Sequence, residues 1–325
     1  NLGAQKTLKL NRAVEFFGDL GFMYKANLNL RTAIRILYPI FSFEARNEKE
    51  LYRKIYEYNW GKYFGINSTF AVHSSGFSNI FTHSQYTALK SKDAIVDSFR
   101  AKTGKRPNVD VQDPDMQINI HVAQHKFIIS LDSSGYSLHK RGYKIGSVDA
   151  PINEVLASGL ILLSNWDKSS NFHDPMCGSG TILTEAAMIS NNIPANIFRK
   201  NFGFEKWKNF NRSLWEKIRD VSLEKEIKYN GVISGGDNVQ KSLRICRENI
   251  NNALMTDQIK VKHQDFFHSN VASSTHVIFN PPYGERMSIE IDEFYQKIGD
   301  TLKNNYQGCS VWLISSDLES VKMIG

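Results

Sequence analysis

A short apolar run in the second half of the chain ends in a polar tetrapeptide that contains two prolines. Residues 277–279 predict a buried strand, which Pro281 and Pro282 must end because proline has no backbone N–H for a sheet. Asn280 and Tyr283 flank the prolines, so the strand end presents an amide, two rigid carbonyls and an aromatic ring. The amide oxygen and the Pro281 carbonyl can accept hydrogen bonds from one planar amino group, while the tyrosine ring stacks on the heterocycle that carries it. The pattern is typical of a site that positions an exocyclic amine.

A glycine turn marks a second candidate site. Asp174 follows a predicted strand, and Gly178 and Gly180 form a turn after it, before a helix that begins near Thr181. Glycines let the backbone approach a ligand closely, and a helix amino terminus favours a carboxylate or a phosphate. Neither a phosphate loop nor a GxGxxG motif is present, since no Gly-Lys-Ser/Thr follows and Leu183 takes the place of the third glycine. Asp174 would repel a pyrophosphate but suits the cationic end of a zwitterionic amino acid, so we expect a cofactor site here.

Two further acidic residues follow predicted strands. The carboxylate of Asp237 can take both hydroxyls of a ribose, as in dinucleotide-binding folds. Asp265 is placed to accept a hydrogen bond from an adenine amino group, with Phe266 beside the ring. The carboxyl ends of parallel strands meet at one edge of a doubly wound sheet. We therefore expect these carboxylates to converge with Asp174 and Asn280.

An insertion, 192–230, lies between the first two of these strand ends, where a simple β-α-β unit needs none. Its aromatic and basic residues are interleaved: Phe198, Arg199, Lys200, Phe202, Phe204, Lys206, Trp207, Lys208, Phe210, Arg212 and Trp215. Such a mixture can contact a nucleic acid through stacking and charge. Equally, the aromatic residues can pack the insertion onto the sheet, so both interpretations stay open.

The first half predicts a smaller α/β module. Apolar spacing predicts helices over 29–37, 48–58 and 83–100, a strand over 69–73, and a hairpin of strands 116–122 and 126–132. Its later part is locally basic, through Lys102, Lys105, Arg106, His125, Lys126, His139, Lys140, Arg141 and Lys144. This cluster is consistent with phosphate contacts, or with ordinary solubilising charge.

Length and composition limit the number of domains and the class of protein. At 325 residues the chain suits two or three domains, and 41% hydrophobic with 22% charged residues indicates a globular protein. A net charge of +7 permits a polyanionic partner without requiring one. We place the domains at 1–65, 66–149 and 150–325. Both ends are expected to be incomplete, because the chain starts without methionine and stops just after a predicted strand.

The cysteines and the apolar runs exclude several classes of protein. Cys177, Cys246 and Cys309 form no CxxC pair, which argues against a disulfide framework or a zinc site and favours a reducing compartment. The histidines lack ligand spacing, so no metal is expected. No apolar run approaches the roughly 18 residues of a membrane span. The predicted location is the cytoplasm.

The chain resembles a known family through motifs that run along most of its length. Asp174-Pro175-Met176-Cys177-Gly178-Ser179-Gly180-Thr181 resembles the cofactor loop of S-adenosylmethionine-dependent amino-methyltransferases, and Asn280-Pro281-Pro282-Tyr283 resembles their amine-binding motif. Gly284-Glu285-Arg286, Lys140-Arg141-Gly142-Tyr143, Ala150-Pro151 and the upstream module resemble THUMP-domain ribosomal RNA guanine-N2 methyltransferases, often labelled N6-adenine-specific DNA methylases. The resemblance implies an α/β protein: a Rossmann-like methyltransferase domain preceded by a ferredoxin-like part and a THUMP RNA-binding module.

The resemblance also implies roles for residues. The cofactor, S-adenosylmethionine, would be bound by Asp174, Pro175, Met176, Cys177, Gly178, Gly180, Thr181, Asp237, Asn238, Asp265 and Phe266. Among these, the two glycines approach its methionine part, Asp237 holds the ribose, and Asp265 with Phe266 holds the adenine. Asn280 and Pro281 would orient the 2-amino group of a guanine in ribosomal RNA. Tyr283 would stack on the flipped base, next to Pro282.

Four readings stay open on the sequence alone: the guanine methyltransferase, two alternatives described below, and a small-molecule or protein-glutamine methylase. Asn280, rather than aspartate, leads the tetrapeptide, and both occur among amine methylases, so guanine and adenine are not distinguished by the motif. An adenine-N6 methyltransferase acting on DNA or RNA is the first alternative. A non-catalytic RNA-binding or ribosome-assembly protein is the second. The target nucleotide and the oligomeric state are not determined.

Overall fold

The structure is a computed structural model that describes residues 2–146, 148, 151–282 and 291–325. It divides into two compact units, each built from separate stretches of the chain. The first unit comprises Asn1–Asn27, Ile34–Leu138 and Lys200–Ile218. The second unit comprises Leu28–Ala33, His139–Arg199 and Arg219–Gly325. Across the described residues, no helix is both long and apolar enough to cross a membrane.

The first unit is a five-stranded mixed sheet with helices and a separate β-hairpin. Its elements are β1 (Lys6–Leu10), β2 (Ala13–Phe17), α1 (Leu20–Asn29), β3 (Leu37–Glu44), α2 (Glu48–Glu57), β4 (Thr69–Phe77), α3 (Ser84–Thr103), β5 (Asn108–Val109), β6 (Met116–Ala123) and β7 (Lys126–Asp132). The strand order is β3-β7-β6-β4-β5, while β1 pairs only with β2. Strands β6 and β7 are antiparallel, which confirms the predicted hairpin.

Local sequence explains several of these elements. In β6 the side chains of Met116, Ile118, Ile120 and Val122 are buried, while most residues between them are more exposed, as expected for a strand with one face on the core. The predicted helix over 48–58 is confirmed as α2, which Asn47 caps by accepting a hydrogen bond from the backbone of Glu50 at 3.0 Å.

The predicted helix over 29–37 is wrong. Helix α1 ends at Asn29, and β3 begins at Leu37. Residues 28–33 belong to the second unit, where the Arg31 guanidinium donates hydrogen bonds to the carbonyls of Met188 and Ile193. Tertiary hydrogen bonds have therefore overridden the local helical spacing.

Three aromatic residues of the insertion, Phe202, Phe204 and Trp215, are buried in the first unit. The Tyr24 ring of α1 lies 4.4 Å from Phe204 and 6.0 Å from Trp215, measured between ring centroids. Phe202 stacks on Phe204 at 5.3 Å. These three insertion rings are at most 6% exposed, so packing, and not an exposed stacking surface, accounts for them. They pack against α1 of the same unit.

The second unit is an entirely parallel five-stranded sheet flanked by helices. Its elements are α4 (Glu154–Leu163), β8 (Phe172–Asp174), α5 (Thr181–Ser190), β9 (Ile233–Asp237), α7 (Gln240–Asn252), β10 (Ile259–His263), β11 (His276–Phe279), α8 (Ile291–Asn305) and β12 (Ser310–Leu313). Helix α6 (Arg212–Leu223) is divided between the units: residues 212–218 belong to the first and residues 219–223 to the second. The strand order is β10-β9-β8-β11-β12. One sheet face packs on α5 and α7, and the other packs on α8.

A buried ionic network holds α5 in place. Glu185 of α5 is fully buried, with Arg141 Nε 3.5 Å from its Oε1 and Arg31 Nη1 4.0 Å from its Oε2. Tyr143 donates a hydrogen bond to Oε1 at 3.0 Å, and Ser158 donates one to Oε2. Burial lowers the pKa of Arg31 to about 10, so its guanidinium is still charged at pH 7. Two segments distant in sequence are thereby fixed to one helix.

Glu185→Ala is expected to lower the free energy of unfolding by about 3–5 kcal/mol, because it leaves buried guanidiniums without a counter-charge. Urea unfolding measures this. Glu293→Ala is the matched control, since its exposed pair with Lys297 at 2.9 Å should contribute no more than about 1 kcal/mol. If both variants lose the same small amount of unfolding free energy, Glu185 is not the stabilising counter-charge of the buried guanidiniums.

Candidate cofactor and amine site

A cavity of about 360 Å³ opens at the carboxyl edge of the parallel sheet, within the volume range of small-molecule sites. Thirteen of the predicted site residues line it: Asp174, Pro175, Met176, Cys177, Gly178, Thr181, Asp237, Asn238, Asp265, Phe266, Asn280, Pro281 and Pro282. Gly180 caps the amino terminus of α5 beside them. Tyr283 lies outside the described residues. The structure thus brings the four strand ends to one cavity.

The glycine turn has the backbone conformation that its sequence predicts. Gly178 and Gly180 have φ angles of +53° and +78°, in the left-handed region that favours glycine. The Gly178 N–H donates a hydrogen bond to Asp237 Oδ2 at 2.8 Å, and the Cys177 N–H donates to the Gly236 carbonyl at 2.9 Å. The turn after β8 is therefore bound to the end of β9.

Both carboxylate oxygens of Asp237 are oriented by backbone donors. Oδ2 accepts from Gly178, and Oδ1 accepts from the Val239 N–H at 2.9 Å. Each oxygen retains a second lone pair, so the carboxylate can still accept hydrogen bonds from a pair of hydroxyls. This geometry fits the predicted ribose contact.

Asp174 lines the cavity although it is only 1% exposed. Burial raises the pKa of its carboxyl well above the usual value, and the nearby charge of Asp237 raises it further, while a hydrogen bond from the Met176 N–H at 3.1 Å opposes the shift. A buried acid at the wall of a cavity is poised to ionise when a cation binds next to it. Its environment therefore suits the cationic end of an amino acid.

Asp265 and Phe266 fit their predicted role in part. Asp265 Oδ1 accepts from the Phe267 N–H at 3.1 Å, and Oδ2 lies 3.0 Å from His268 Nδ1. The Phe266 ring is 3% exposed and packs at 5.5 Å from both Phe279 and Tyr306. Phe266 therefore forms a wall of the cavity more than an open stacking surface.

The amine-binding end of the cavity follows β11. Asn280 is half-buried directly after the strand, Pro281 is buried, and Pro282 is exposed. Because β11 pairs with β8, Asn280 emerges beside the turn that contains Asp174. An amide and a proline carbonyl are thereby set next to the predicted cofactor region.

Several lining residues were not predicted from the sequence. They are Val148, Pro151, Ile152, Ser179, Ile182, Val239, Ser242, Gln264, Phe267 and Phe294. Most are apolar, and they come from helices or loops whose facing direction depends on packing. The acidic strand-end signal that found the carboxylates does not mark them. Within 2–146, 148, 151–282 and 291–325, no group of three or more His, Cys, Asp or Glu side chains could hold a metal ion.

Residues 141–325 match the family model described as RMKL-like, methyltransferase domain. The chain belongs to this methyltransferase family. Residues 45–132 match the THUMP domain, and residues 1–37 match the RlmL ferredoxin-like domain. The predicted Rossmann-like methyltransferase domain with ferredoxin-like and THUMP parts before it is therefore confirmed, as is S-adenosylmethionine as the cofactor of the family. The boundaries 1–65, 66–149 and 150–325 stay predictions.

Relatives cover the whole chain. A protein of Synechocystis sp. named as an RNA methyltransferase is 34% identical over 100% of this chain and 85% of its own length. The ribosomal RNA large subunit methyltransferase K/L of Cellvibrio japonicus is 33% identical, and the chain spans only 45% of its length.

Solved structures share the fold of this methyltransferase. SMU.472, a methyltransferase complexed with SAH, has a TM-score of 0.85 and 29% identity, covering 98% of this chain and 85% of that one. A Listeria monocytogenes protein named as a predicted N6-adenine-specific DNA methylase has a TM-score of 0.87 and 28% identity, covering 98% and 84%.

Gly180→Ala is expected to lower the thermal unfolding temperature of the methyltransferase. Its φ is left-handed, which costs an L-residue about 1–2 kcal/mol, and a Cβ there would lie 2.6 Å from Cys246 Sγ. In the Gly180→Ala/Cys246→Ala double variant the clash is absent while the backbone strain stays, so the double variant should be less destabilised than the sum of the single changes. Additive losses would contradict this contact.

Asp174→Asn is expected to change how stability depends on pH. The folded-state pKa of Asp174 is raised above the roughly 3.9 of an unfolded chain, so wild-type stability falls as pH rises from about 4 through the folded pKa. The variant should escape this fall, and its advantage should grow with pH in urea unfolding series. Asp167→Asn is the control of opposite sign.

Hydrogen bonds from Ser169 and Ser170 lower the pKa of Asp167. Its contribution to stability is therefore present above about pH 4 and lost on acidification. A pH profile of Asp174→Asn parallel to that of the wild type would contradict the assigned shift.

Proposed function

We propose that the chain is an S-adenosylmethionine-dependent RNA methyltransferase that methylates the exocyclic 2-amino group of a guanine in ribosomal RNA. The observation that carries the proposal is the convergence of the glycine turn and of Asn280-Pro281-Pro282 on one cavity. One half of that cavity has the donors and acceptors of a cofactor site, and the other half has the acceptors for a planar amine. The two halves of a methyl transfer are thereby adjacent.

The cofactor half fits S-adenosylmethionine by the chemistry of its donors. Gly178 and Gly180 allow close backbone approach at the start of α5, where a carboxylate is favoured. Asp174 would face the cationic ammonium, and Asp237 would hold the ribose hydroxyls. Asp265 and the wall formed by Phe266 would enclose the adenine. Bound there, the cofactor would supply a methyl group activated on a sulfonium.

The amine half positions its substrate without a catalytic base. Asn280 and the Pro281 carbonyl accept hydrogen bonds from the amino group, which fixes its direction of approach. Proline locks the backbone, so little conformational entropy is lost on binding. Alignment, and loss of positive charge in a site shielded from water, then supply the rate enhancement.

The RNA substrate rests on the THUMP match at 45–132 and on the names of relatives. The relative from Synechocystis sp. is named for RNA, and the one from Cellvibrio japonicus is named for large-subunit ribosomal RNA. A ribosomal RNA substrate would also agree with the predicted cytoplasmic location.

An adenine-N6 methyltransferase is the second candidate. It is favoured by the name of the Listeria monocytogenes structure and by the motif, which does not distinguish the two bases. The upstream THUMP module speaks against a DNA substrate. A non-catalytic RNA-binding protein is opposed by the complete set of cofactor-facing residues.

Methyl-labelled S-adenosylmethionine should be incubated with unmodified ribosomal RNA and, in parallel, with DNA, followed by digestion to nucleosides. We expect label in 2-methylguanosine from RNA. Asn280→Ala should lower the rate by about a hundredfold, because the amine loses its alignment, while cofactor binding stays unchanged. Asn280→Asp keeps an acceptor oxygen at the position of the amide oxygen and should retain more activity than Asn280→Ala.

Asn251→Ala is the matched control, since Asn251 is exposed on α7 away from the cavity, and it should behave like the wild type. Label in 6-methyladenine would establish the second candidate instead. Failure to bind S-adenosylmethionine would overturn the proposal that the chain is a methyltransferase.

A further inference from the structure

The sheet of the second unit carries a row of polar side chains on the face opposite α5 and α7. His173, Ser234 and Lys260 are direct neighbours across β8, β9 and β10. Since Phe172, Ile233 and Ile259 point into the core that α5 and α7 cover, the alternation along each strand turns this row to the other face. None of these three residues lines the cofactor cavity.

This row lines a second concave surface, separate from the cofactor cavity. A cavity of about 350 Å³ is lined by Asn171, His173, Val232, Ser234, Gly235, Lys260, Val261, Lys262, Asn270, Val271, Ala272 and Thr275. A neighbouring cavity of about 510 Å³ shares residues 270–272 with it and adds Asn304, Asn305 and Gln307. Together they form one continuous surface, here called the lysine–amide groove.

The groove has the composition of an anion site. Its residues include two ammonium groups, five side-chain amides and two hydroxyls, but no carboxylate. Lys260 and Lys262 are exposed and project from the same side of β10. Within the part of the chain that the structure describes, neither lysine forms an ion pair. The positive charge in the groove is therefore not neutralised by a neighbour.

The histidine of the row adds a polar contact and not a charge. His173 Nδ1 lies 2.8 Å from Ser234 Oγ. Burial, and next the positive charge of Lys262, lower the pKa of His173 to about 4, so the ring is neutral at pH 7. The lysines carry the charge, while the His173 ring orients the Ser234 hydroxyl, which lies between His173 and Lys260 in the row.

We propose that the lysine–amide groove binds the phosphodiester backbone of the RNA substrate, a contact that rests on the proposed function and extends it. Lysines, hydroxyls and amides are the side chains that contact phosphate and sugar oxygens. No aromatic side chain apart from the buried His173 lines the groove, so bases have no ring on which to stack. The contact is therefore independent of base sequence. It serves to hold a strand of RNA on a sheet face distinct from the one packed on α5 and α7.

The test compares Lys260→Ala/Lys262→Ala with the wild type in RNA binding by fluorescence anisotropy over a series of salt concentrations. Each lost phosphate contact should reduce the slope of log K against log salt by about 0.7 to 0.9, or about 1.4 to 1.8 for both lysines. Binding should weaken equally for RNAs of different sequence. S-adenosylmethionine binding, measured by calorimetry, should not change, since neither lysine lines that cavity.

Two further variants make the result specific. Arg244→Ala/Arg247→Ala removes two positive charges from the exposed side of α7, on the opposite face of the sheet, and should leave the slope unchanged. Asn270→Asp places a negative charge where the two cavities meet and should weaken RNA binding without affecting S-adenosylmethionine binding.

Each outcome decides between the two proposals. If the wild type methylates RNA but the lysine variant keeps the wild-type salt dependence of RNA binding, the groove does not bind the RNA backbone, and the proposed function still stands. A reduced slope in a protein that binds RNA without methylating it would support the groove and overturn the catalytic proposal. Lysine-dependent binding of inorganic phosphate with no effect on RNA would indicate a site for a free anion and overturn the groove. Absence of RNA binding by the wild type would overturn both.

Discussion

The second unit depends on how it accommodates one buried carboxylate. Glu185 is fully enclosed in α5, and a charge in that position would be costly without the guanidiniums of Arg31 and Arg141. Arg141 also donates hydrogen bonds to Asn196 Oδ1 at 3.1 Å and to the Arg31 carbonyl. The same network therefore draws residues from the beginning, the middle and the second half of the chain around one helix.

That helix is also the one that begins at the glycine turn. Thr181 opens α5 only four residues before Glu185, so the ionic network fixes the helix whose amino terminus faces the cavity. Tyr143 and Lys144 continue the connection, because Lys144 donates a hydrogen bond to Thr181 Oγ1 at 3.1 Å. Structural and functional constraints thus meet in a single element. The connection therefore reaches Thr181, a residue that lines the cavity.

The site itself is not optimised for stability. Burial of Asp174 opposes its ionisation. The glycines of the turn allow a ligand to approach the backbone closely, but glycine loses more conformational entropy on folding than other residues do. Residues that bind or react commonly retain such costs, which the surrounding core offsets. Here the parallel strands β8 and β11 are buried and β9 is mostly buried, so the sheet can hold the buried carboxyl of Asp174 at its carboxyl edge.

Local sequence determined which residues end the strands. The acidic residues Asp174, Asp237 and Asp265 and the Asn280 tetrapeptide follow short apolar runs, and the carboxyl ends of parallel strands meet at one edge, so their convergence was predictable. The hairpin of β6 and β7 was predictable because its two strands and the turn between them are adjacent in the sequence.

Only the tertiary structure decided where distant segments pack. The spacing in 29–37 indicated a helix, but Arg31 hydrogen-bonds within the second unit, and Phe204 and Trp215 of the insertion pack on Tyr24 in the first. The raised pKa of Asp174 and the row from His173 to Lys260 likewise depend on burial and on strand register. Local spacing records the periodicity of a segment, whereas its partners are selected by long-range contacts that the spacing does not encode.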